Sequence, residues 1–372
     1  MTAAPPEQGT GGPAAVVPMA LPVPSVDAAP ASQPSPWPHR HLLDLDVVSW
    51  PEIELVMRTA EAMKEVLARP IARVPALRGT GVTILFYEAS TRTRVSFEVA
   101  AKKLSADVVN IAAASSSVSK GESLVDTIRT VEALGARMIV IRHATSGAAN
   151  LAAEHFSGSV LNGGDGWHAH PSQALLDLFT LRQRLPDGDL RGRKVVILGD
   201  ALHSRVARSN IWSLTAAGAD LWLCAPATLL RGFDRWAARS GEVPGHGRFR
   251  VTSDVAAALR DADVIMALRL QRERMAAGLL PSLREYAARY GLNLERLALA
   301  RPDALVMHPG PMNEGIEISP EVADHPRSVI TDQVTNGVAV RMALLYLLAG
   351  AGARSAPDGA AAAGQRVEGG GG

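Results

Sequence analysis

The chain has 372 residues, 47% hydrophobic and 20% charged, which is enough for two ordinary domains with sizeable cores. Thirty-eight Lys and Arg against 37 Asp and Glu leave a formal net charge of +1. No global field therefore points to nucleic acid or to an anionic membrane as a partner. The single cysteine, Cys224, excludes an internal disulfide framework and a thiolate metal cluster, and it fits a reducing cytoplasm.

Residues 1–40 are rich in Pro and Ala and poor in charge. Pro18, Pro22 and Pro24 interrupt the apolar runs and no basic region precedes them, so the stretch reads as a disordered arm rather than a signal peptide. Strand and helix patterns then alternate. The first half holds strands Val82–Phe86, Asp107–Ile111, Arg137–Ile141 and Ser159–Asn162, with helices Glu52–Leu67, Arg92–Leu104, Glu122–Leu134, Ala148–Phe156 and Ser172–Leu185. Pro186 to Asp189 is a turn cluster and marks an interdomain hinge. The second half holds strands Lys194–Leu198, Asp220–Cys224, Arg248–Val251, Ala262–Ala267, Ala304–Met307 and Val329–Thr331. A last helix, Asn336–Leu348, is apolar nearly all round apart from Arg341, the pattern of a buried helix. No uncharged apolar run is long enough to cross a bilayer, and residues 350–372 read as a disordered tail.

The expected fold is therefore α/β. Residues 41–185 and 186–334 each form a mainly parallel sheet flanked by helices on both faces, and a C-terminal helix at 335–349 returns to the first domain. Ligands of such sheets sit at the carboxyl ends of strands, where the polar clusters of this chain fall.

Ser90-Thr91-Arg92-Thr93-Arg94 lies where a strand feeds a helix. Orphan N–H groups, the positive end of the helix and two guanidinium groups make that junction a phosphate cradle. Arg94 is the exception and is expected to pair with Glu98 one turn on. The Ser-rich stretch ending at Lys120 reads by composition as a surface loop, or as a lid bringing a lysine to an anion. Arg142 ends one strand and is either a solvated terminus or a site residue. Asn162 to Gln173 is a glycine-rich loop leading through His170-Pro171 into a helix, with His170 and Gln173 at its start. His168 and His170 are not metal ligands, because no third ligand lies nearby. Gly199-Asp200 invites a dinucleotide-fold reading, but the G-x-G-x-x-G spacing is missing, so hydride transfer is not expected. Arg205 follows it as an anion-directed arginine. Arg269 and Gln271 share a face of an extended segment, unless they belong to a charged surface run with Arg272, Glu273 and Arg274. His308-Pro309-Gly310-Pro311 is a rigid loop whose carbonyls are free to accept hydrogen bonds.

These segments, in this order over about residues 40 to 350, resemble the aspartate/ornithine carbamoyltransferase family. Ser90 to Thr93 is the family-wide signature. Lys120-Gly121-Glu122-Ser123, Arg269-Leu270-Gln271 and His308-Pro309-Gly310-Pro311 resemble the members that use aspartate as acceptor. The ornithine members carry a cysteine where Pro309 stands. The resemblance implies transfer of a carbamoyl group from carbamoyl phosphate to L-aspartate, in pyrimidine synthesis, with no metal or organic cofactor. Transfer to another amino acid such as ornithine, or an inactive scaffold, are the other readings.

By the same resemblance, Ser90, Thr91, Arg92, Thr93 and Arg142 bind the phosphate. Thr93, Arg142 and His170 polarise the carbamoyl oxygen, while Gln173 and the Pro309, Gly310 and Pro311 loop orient its amide. Arg205, Arg269 and Gln271 bind aspartate. Ser116 and Lys120 are donated by a neighbouring subunit, Lys120 reaching both substrates, which implies a homotrimer with shared sites. Regulatory or dihydroorotase subunits are further partners that the resemblance leaves open. Two positions depart from the family pattern: Ser105 stands where a glycine is usual, and Glu314 stands where an arginine is common.

Overall fold

The computed structural model describes residues 37–112, 121–238, 245–275 and 278–354. Four parallel strands form the first sheet: β1 (Gly81–Phe86), β2 (Asp107–Ala112), β3 (Ala136–His143) and β4 (Ser159–Asp165), in the order β2-β1-β3-β4. Helices α1 (Trp50–Leu67), α2 (Thr91–Lys103), α3 (Leu124–Ala133), α4 (Ala148–His155) and α5 (Pro171–Arg184) accompany them. The second sheet runs β7-β6-β5-β8-β9, again all parallel. Its strands are β5 (Lys194–Leu198), β6 (Asp220–Cys224), β7 (Phe249–Thr252), β8 (Val264–Ala267) and β9 (Leu305–Met307). The helices of this half are α6 (Arg205–Ala216), α7 (Phe233–Ala238), α8 (Val255–Leu259), α9 (Leu283–Tyr290), α10 (Leu294–Leu297) and α11 (Pro320–Ala323). The chain closes with α12 (Ile330–Arg354).

Local chemistry sets the helix starts. Ser90 Oγ accepts the N–H of Thr93 at 3.4 Å, Ser123 Oγ that of Asp126 at 3.2 Å, and Ser204 Oγ that of Ala207 at 3.1 Å. Each satisfies one orphan donor of a first turn. Pro171 opens α5, where its missing N–H costs nothing.

Four expectations change. Val329–Thr331 is not a strand. Ser328 makes an isolated bridge to Val306, and Ile330 already begins α12. Three β-branched residues are too few for periodicity to separate strand from helix. Strand β4 continues through Gly163 and Gly164 to Asp165 rather than ending at Asn162. Glu98 pairs with Lys102 at 2.6 Å instead of Arg94, which attracts it only from farther away. A glutamate N-terminal to its cation at i,i+4 is the better orientation. Finally, the last helix runs from Ile330 to Arg354 rather than from Asn336 to Leu348; with Asp332 and Arg341 in it, its Ile330–Ala351 stretch is still long and apolar enough by composition to cross a membrane, but 67% of that window is buried within the molecule. The helix packs on α1, α2 and α5 beside the first sheet. The Pro186–Asp189 turn is tied down by Asp187 to Arg193 and Asp189 to Arg191.

Both sheets reverse direction of winding once. In the first, the chain moves from β1 to β2 and then back to β3 on the other side of β1. In the second, β5 is flanked by β6 and β8 in the same way. The loops after β1 and β3, and after β5 and β8, are thus the two topological switch points, where α/β sheets bind ligands.

Candidate active site

The first switch point places Ser90–Thr93 beside Arg142. Phe86 and Arg142 are register partners, and the Tyr87 N–H donates to the Arg142 carbonyl at 2.8 Å. Thr93 is buried while Thr91 and Arg92 are exposed at the helix start. The second switch point supplies Asp200, Arg205 and the 268–271 segment. Asp200 accepts from His203 Nδ1 at 2.8 Å and from the Gln271 N–H at 3.1 Å, which ties the two loops of that switch point together.

Glu88 joins the two halves. Its carboxylate accepts from Arg142 Nη2 at 2.8 Å, from Arg205 Nη2 at 2.5 Å and from Arg274 Nη2 at 2.8 Å. Burial pushes the Glu88 carboxyl up, but the three guanidinium groups outweigh it and hold its pKa below the usual range. Three cations around one carboxylate leave an excess of positive charge. Burial and the neighbouring arginines lower Arg142 to about 9, while Glu88 pulls the other way. The arrangement is suited to receive anions.

Glycines let these cations approach the backbone. A Cβ on Gly164 would lie 2.9 Å from Arg205 Nε and 3.0 Å from Arg142 Nη1, and its φ of +115° already favours glycine. Arg142 also donates to the Gly163 carbonyl at 3.1 Å, and Arg274 to the Gly166 carbonyl at 3.1 Å. A Cβ on Gly310 would lie 2.6 Å from Arg92 Nη1. The Pro309–Pro311 loop therefore sits directly against Arg92.

His170 caps α5 and is 4% exposed. Its N–H donates to Ser209 Oγ at 2.9 Å, and Ser209 donates to Asp44 at 3.1 Å. Burial, then Arg142, Arg205 and Arg341, push the imidazole well below its ordinary pKa. Its neutral form is thereby favoured over the imidazolium. Gln173 donates to Asp177 at 2.9 Å, and Asp177 also accepts from Gln333 and Asn210. Gln333 in turn accepts the His308 N–H at 3.0 Å. This buried network fixes α5, α6, α12 and the His308 loop relative to one another. His168 instead pairs with Asp165 at 3.1 Å, and Asp165 also accepts the Gly147 N–H. That shapes the loop and brings no ligand to the site. Among the described residues no group of three or more His, Cys, Asp or Glu is arranged to hold a metal.

The structure thus brings Ser90, Thr91, Arg92, Thr93, Arg142, His170, Gln173, Arg205 and Pro309–Pro311 to facing strand ends. Arg269 donates to Gln271 at 3.3 Å and to Glu273 at 2.5 Å, so the pair sits together at the second switch point. Ser116 and Lys120 lie outside the described residues. Sequence reasoning missed Glu88, Arg274 and Asp177. Glu88 stands two residues before the cradle and could have been suspected; Arg274 meets it across 186 positions, a contact no local pattern announces.

Two family models match the chain: the carbamoyl-phosphate-binding domain of aspartate/ornithine carbamoyltransferases over residues 40–183, and the Asp/Orn-binding domain over residues 191–348. The chain is 60% identical to the aspartate carbamoyltransferase catalytic subunit of Roseiflexus sp. over 84% of its own length and 95% of that protein. It is 59% identical to the same subunit of Chloroflexus aurantiacus over 84% of its length and 98% of the relative. Among solved structures it is similar to an ornithine carbamoyltransferase from Pyrococcus furiosus, with a TM-score of 0.74 and 28% identity over 83% of this chain and 96% of that one. It is equally similar to aspartate transcarbamoylase from Trypanosoma cruzi in complex with N-(phosphonacetyl)-L-aspartic acid, with a TM-score of 0.73 and 28% identity over 84% and 96% of the two chains.

Proposed function

The chain belongs to the aspartate/ornithine carbamoyltransferase family, and from that premise we propose that it transfers the carbamoyl group of carbamoyl phosphate to L-aspartate. The products are N-carbamoyl-L-aspartate and phosphate, and the reaction serves pyrimidine synthesis. One observation carries the reading. Ser90–Thr93, Arg142 and His170 face Arg205, clamped through Glu88, in a chain about 60% identical to aspartate carbamoyltransferase catalytic subunits.

In this reading the α2 N-terminus, Ser90, Thr91, Arg92 and Arg142 hold the phosphate. The aspartate amine attacks the carbamoyl carbon, and the carbon–oxygen bond to phosphate breaks with its electrons leaving on phosphate. The amine proton passes to the departing phosphate or to water. Thr93, Arg142 and neutral His170 donate to the oxygen that becomes negative in between. Removing one such donor costs ~10²–10³ in rate. Gln173 and the carbonyls of the Pro309–Pro311 loop orient the amide, and Arg205, Arg269 and Gln271 hold the aspartate carboxylates. Ser116 and Lys120 reach the site from a neighbouring subunit of a cytoplasmic homotrimer. The halves before 185 and after 186 act as the carbamoyl-phosphate and aspartate domains, with α12 serving the first.

The test is a rate assay on the purified chain with carbamoyl phosphate and either L-aspartate or L-ornithine. Carbamoyl-aspartate formation is expected. No product with aspartate, or a clear preference for ornithine, refutes the reading.

A further inference from the structure

On α12 a buried cation, Arg341, sits without a carboxylate in ion-pair reach among the described residues. Arg341 projects from α12 and is 4% exposed, yet its Nε finds no hydrogen-bond acceptor. The group also makes no ion pair among the described residues, although Asp177 attracts it from farther off. Its guanidinium carbon lies 5.0 Å from the Phe97 ring centroid. Its Nη1 comes so close to α12 that a Cβ on Gly337 would stand 2.5 Å away, and the same Cβ would touch Leu176 of α5 at 3.3 Å.

Those neighbours locate the charge. Phe97 is one turn after Thr93 on the buried side of α2, and Leu176 is three residues after Gln173 on α5. The guanidinium therefore lies between α2 and α5, one turn behind the two helix starts that hold Thr93, His170 and Gln173. A buried polar group without a partner is expensive and demands a reason. A well-packed apolar side chain would serve stability better. The reason offered by this placement is electrostatic, because a fixed cation in a water-excluded interior acts strongly on charge that develops nearby.

We propose that Arg341 is a positioning residue for carbamoyl transfer: a buried cation behind Thr93 and Gln173 that stabilises the negative oxygen of the reacting carbamoyl group. It acts through the field at the site and through His170, without touching substrate. The cations facing His170 are Arg142 and Arg205 from the front and Arg341 from α12, and burial adds to their effect on the imidazole. The neutral groups beside it are Ser172 Oγ, 3.5 Å from Nδ1, and Ser209, which holds its backbone N–H.

The inference rests on the carbamoyltransferase reading. The experiment measures kcat, KM for aspartate, the pH profile of kcat and the melting temperature for wild type, Arg341→Met, Arg341→Lys and Gly337→Ala. Arg341→Met is expected to lower kcat about a hundredfold while leaving KM within about threefold. Its melting temperature should hold or rise, since an unpartnered buried charge is gone. Its kcat should also gain an acid limb at higher pH than wild type, and Arg341→Lys should move that limb back. A merely structural arginine would leave the limb in place. Activity within about threefold of wild type, or an unmoved limb, overturns the inference. If Arg341→Met does not fold, Gly337→Ala decides, because its Cβ displaces the guanidinium without removing the charge: a lowered kcat supports the inference and an unchanged kcat overturns it. An inactive wild type would refute the underlying reading, whereas an active wild type with an unimpaired Arg341→Met refutes this inference alone.

Discussion

Replacing Glu88 by Gln tests how far the site depends on its own carboxylate. The substitution keeps the shape and one acceptor oxygen but removes the charge that holds Arg142, Arg205 and Arg274 together. Hydrogen bonds to charged groups contribute about 1.5–3 kcal/mol each, and removing one partner of a buried pair costs about 3–5 kcal/mol. The Glu88 side chain is 22% exposed, and Gln still accepts, so a net loss of about 2 kcal/mol is expected. That corresponds to roughly 2–4 °C in melting temperature for a chain of this length, at about 2.1 cal/mol/K of unfolding entropy per residue. Without their tether Arg142 and Arg205 repel, and kcat/KM for aspartate should fall ~10–100-fold, or about 1.4–2.8 kcal/mol.

Glu88 also gives the pH dependence a definite sign. Its folded pKa lies below the ordinary 4.5, so its contribution is present above that value and is lost as pH falls through the folded pKa. The stability gap between wild type and Glu88→Gln should therefore close in acid. Steady-state rates with aspartate varied at saturating carbamoyl phosphate, together with thermal melts at neutral and acid pH, read both effects. A Glu88→Gln enzyme with wild-type kcat/KM and wild-type melting temperature at neutral pH would refute the clamp.

Three further outcomes are expected. Because burial and the arginines suppress protonation of His170, the pH profile of kcat should show no limb from it near its ordinary value of 6.5; such a limb, removed by His170→Gln, would contradict its role as a neutral donor. In the proposed homotrimer with shared sites, Lys120→Ala and Arg92→Ala should each inactivate alone and regain partial activity when mixed, since a hybrid trimer would assemble one intact site. Verified subunit exchange without recovery would rule out sharing. At the turn after α2, Ser105 holds a left-handed φ of +65°, and its Oγ donates to the Val74 carbonyl at 3.0 Å. Ser105→Ala keeps the strain and loses the bond, so it should cost about 1 kcal/mol, whereas Ser105→Gly relieves the strain and should cost less. Equal melting temperatures for the two variants would contradict that account.

Much of this site is local in origin, which is why the sequence discloses it. The proposed phosphate cradle is a strand-to-helix junction and needs Ser90 to Thr93 to be contiguous, and the parallel topology puts Arg142 at the end of β3 and Arg205 after β5, one at each switch point. What stays hidden is tertiary. The run Arg272-Glu273-Arg274 has the look of a solvated surface segment, yet Arg274 turns inward to Glu88 and the Gly166 carbonyl. Asp177 looks like an ordinary helix residue until Gln173, Asn210 and Gln333 converge on it from three helices. At Arg94 two helical pairings competed for Glu98, and Lys102 prevailed. The glycine usual before Ala106 has a physical explanation after all, because Ser105 occupies the left-handed conformation that glycine adopts without strain. Glu314 is exposed in a loop, and nothing in the structure explains it.

The most direct test is a crystal structure of the assembled protein with N-(phosphonacetyl)-L-aspartic acid, which joins both substrate halves in one molecule. The phosphonate is expected on the α2 N-terminus among Ser90, Thr91, Arg92 and Arg142, and the carbonyl oxygen toward Thr93 and His170. The aspartate carboxylates are expected on Arg205, Arg269 and Gln271, with Lys120 entering from the neighbouring subunit. An inhibitor bound elsewhere, or a phosphonate seated away from Arg92 and Arg142, would contradict the account.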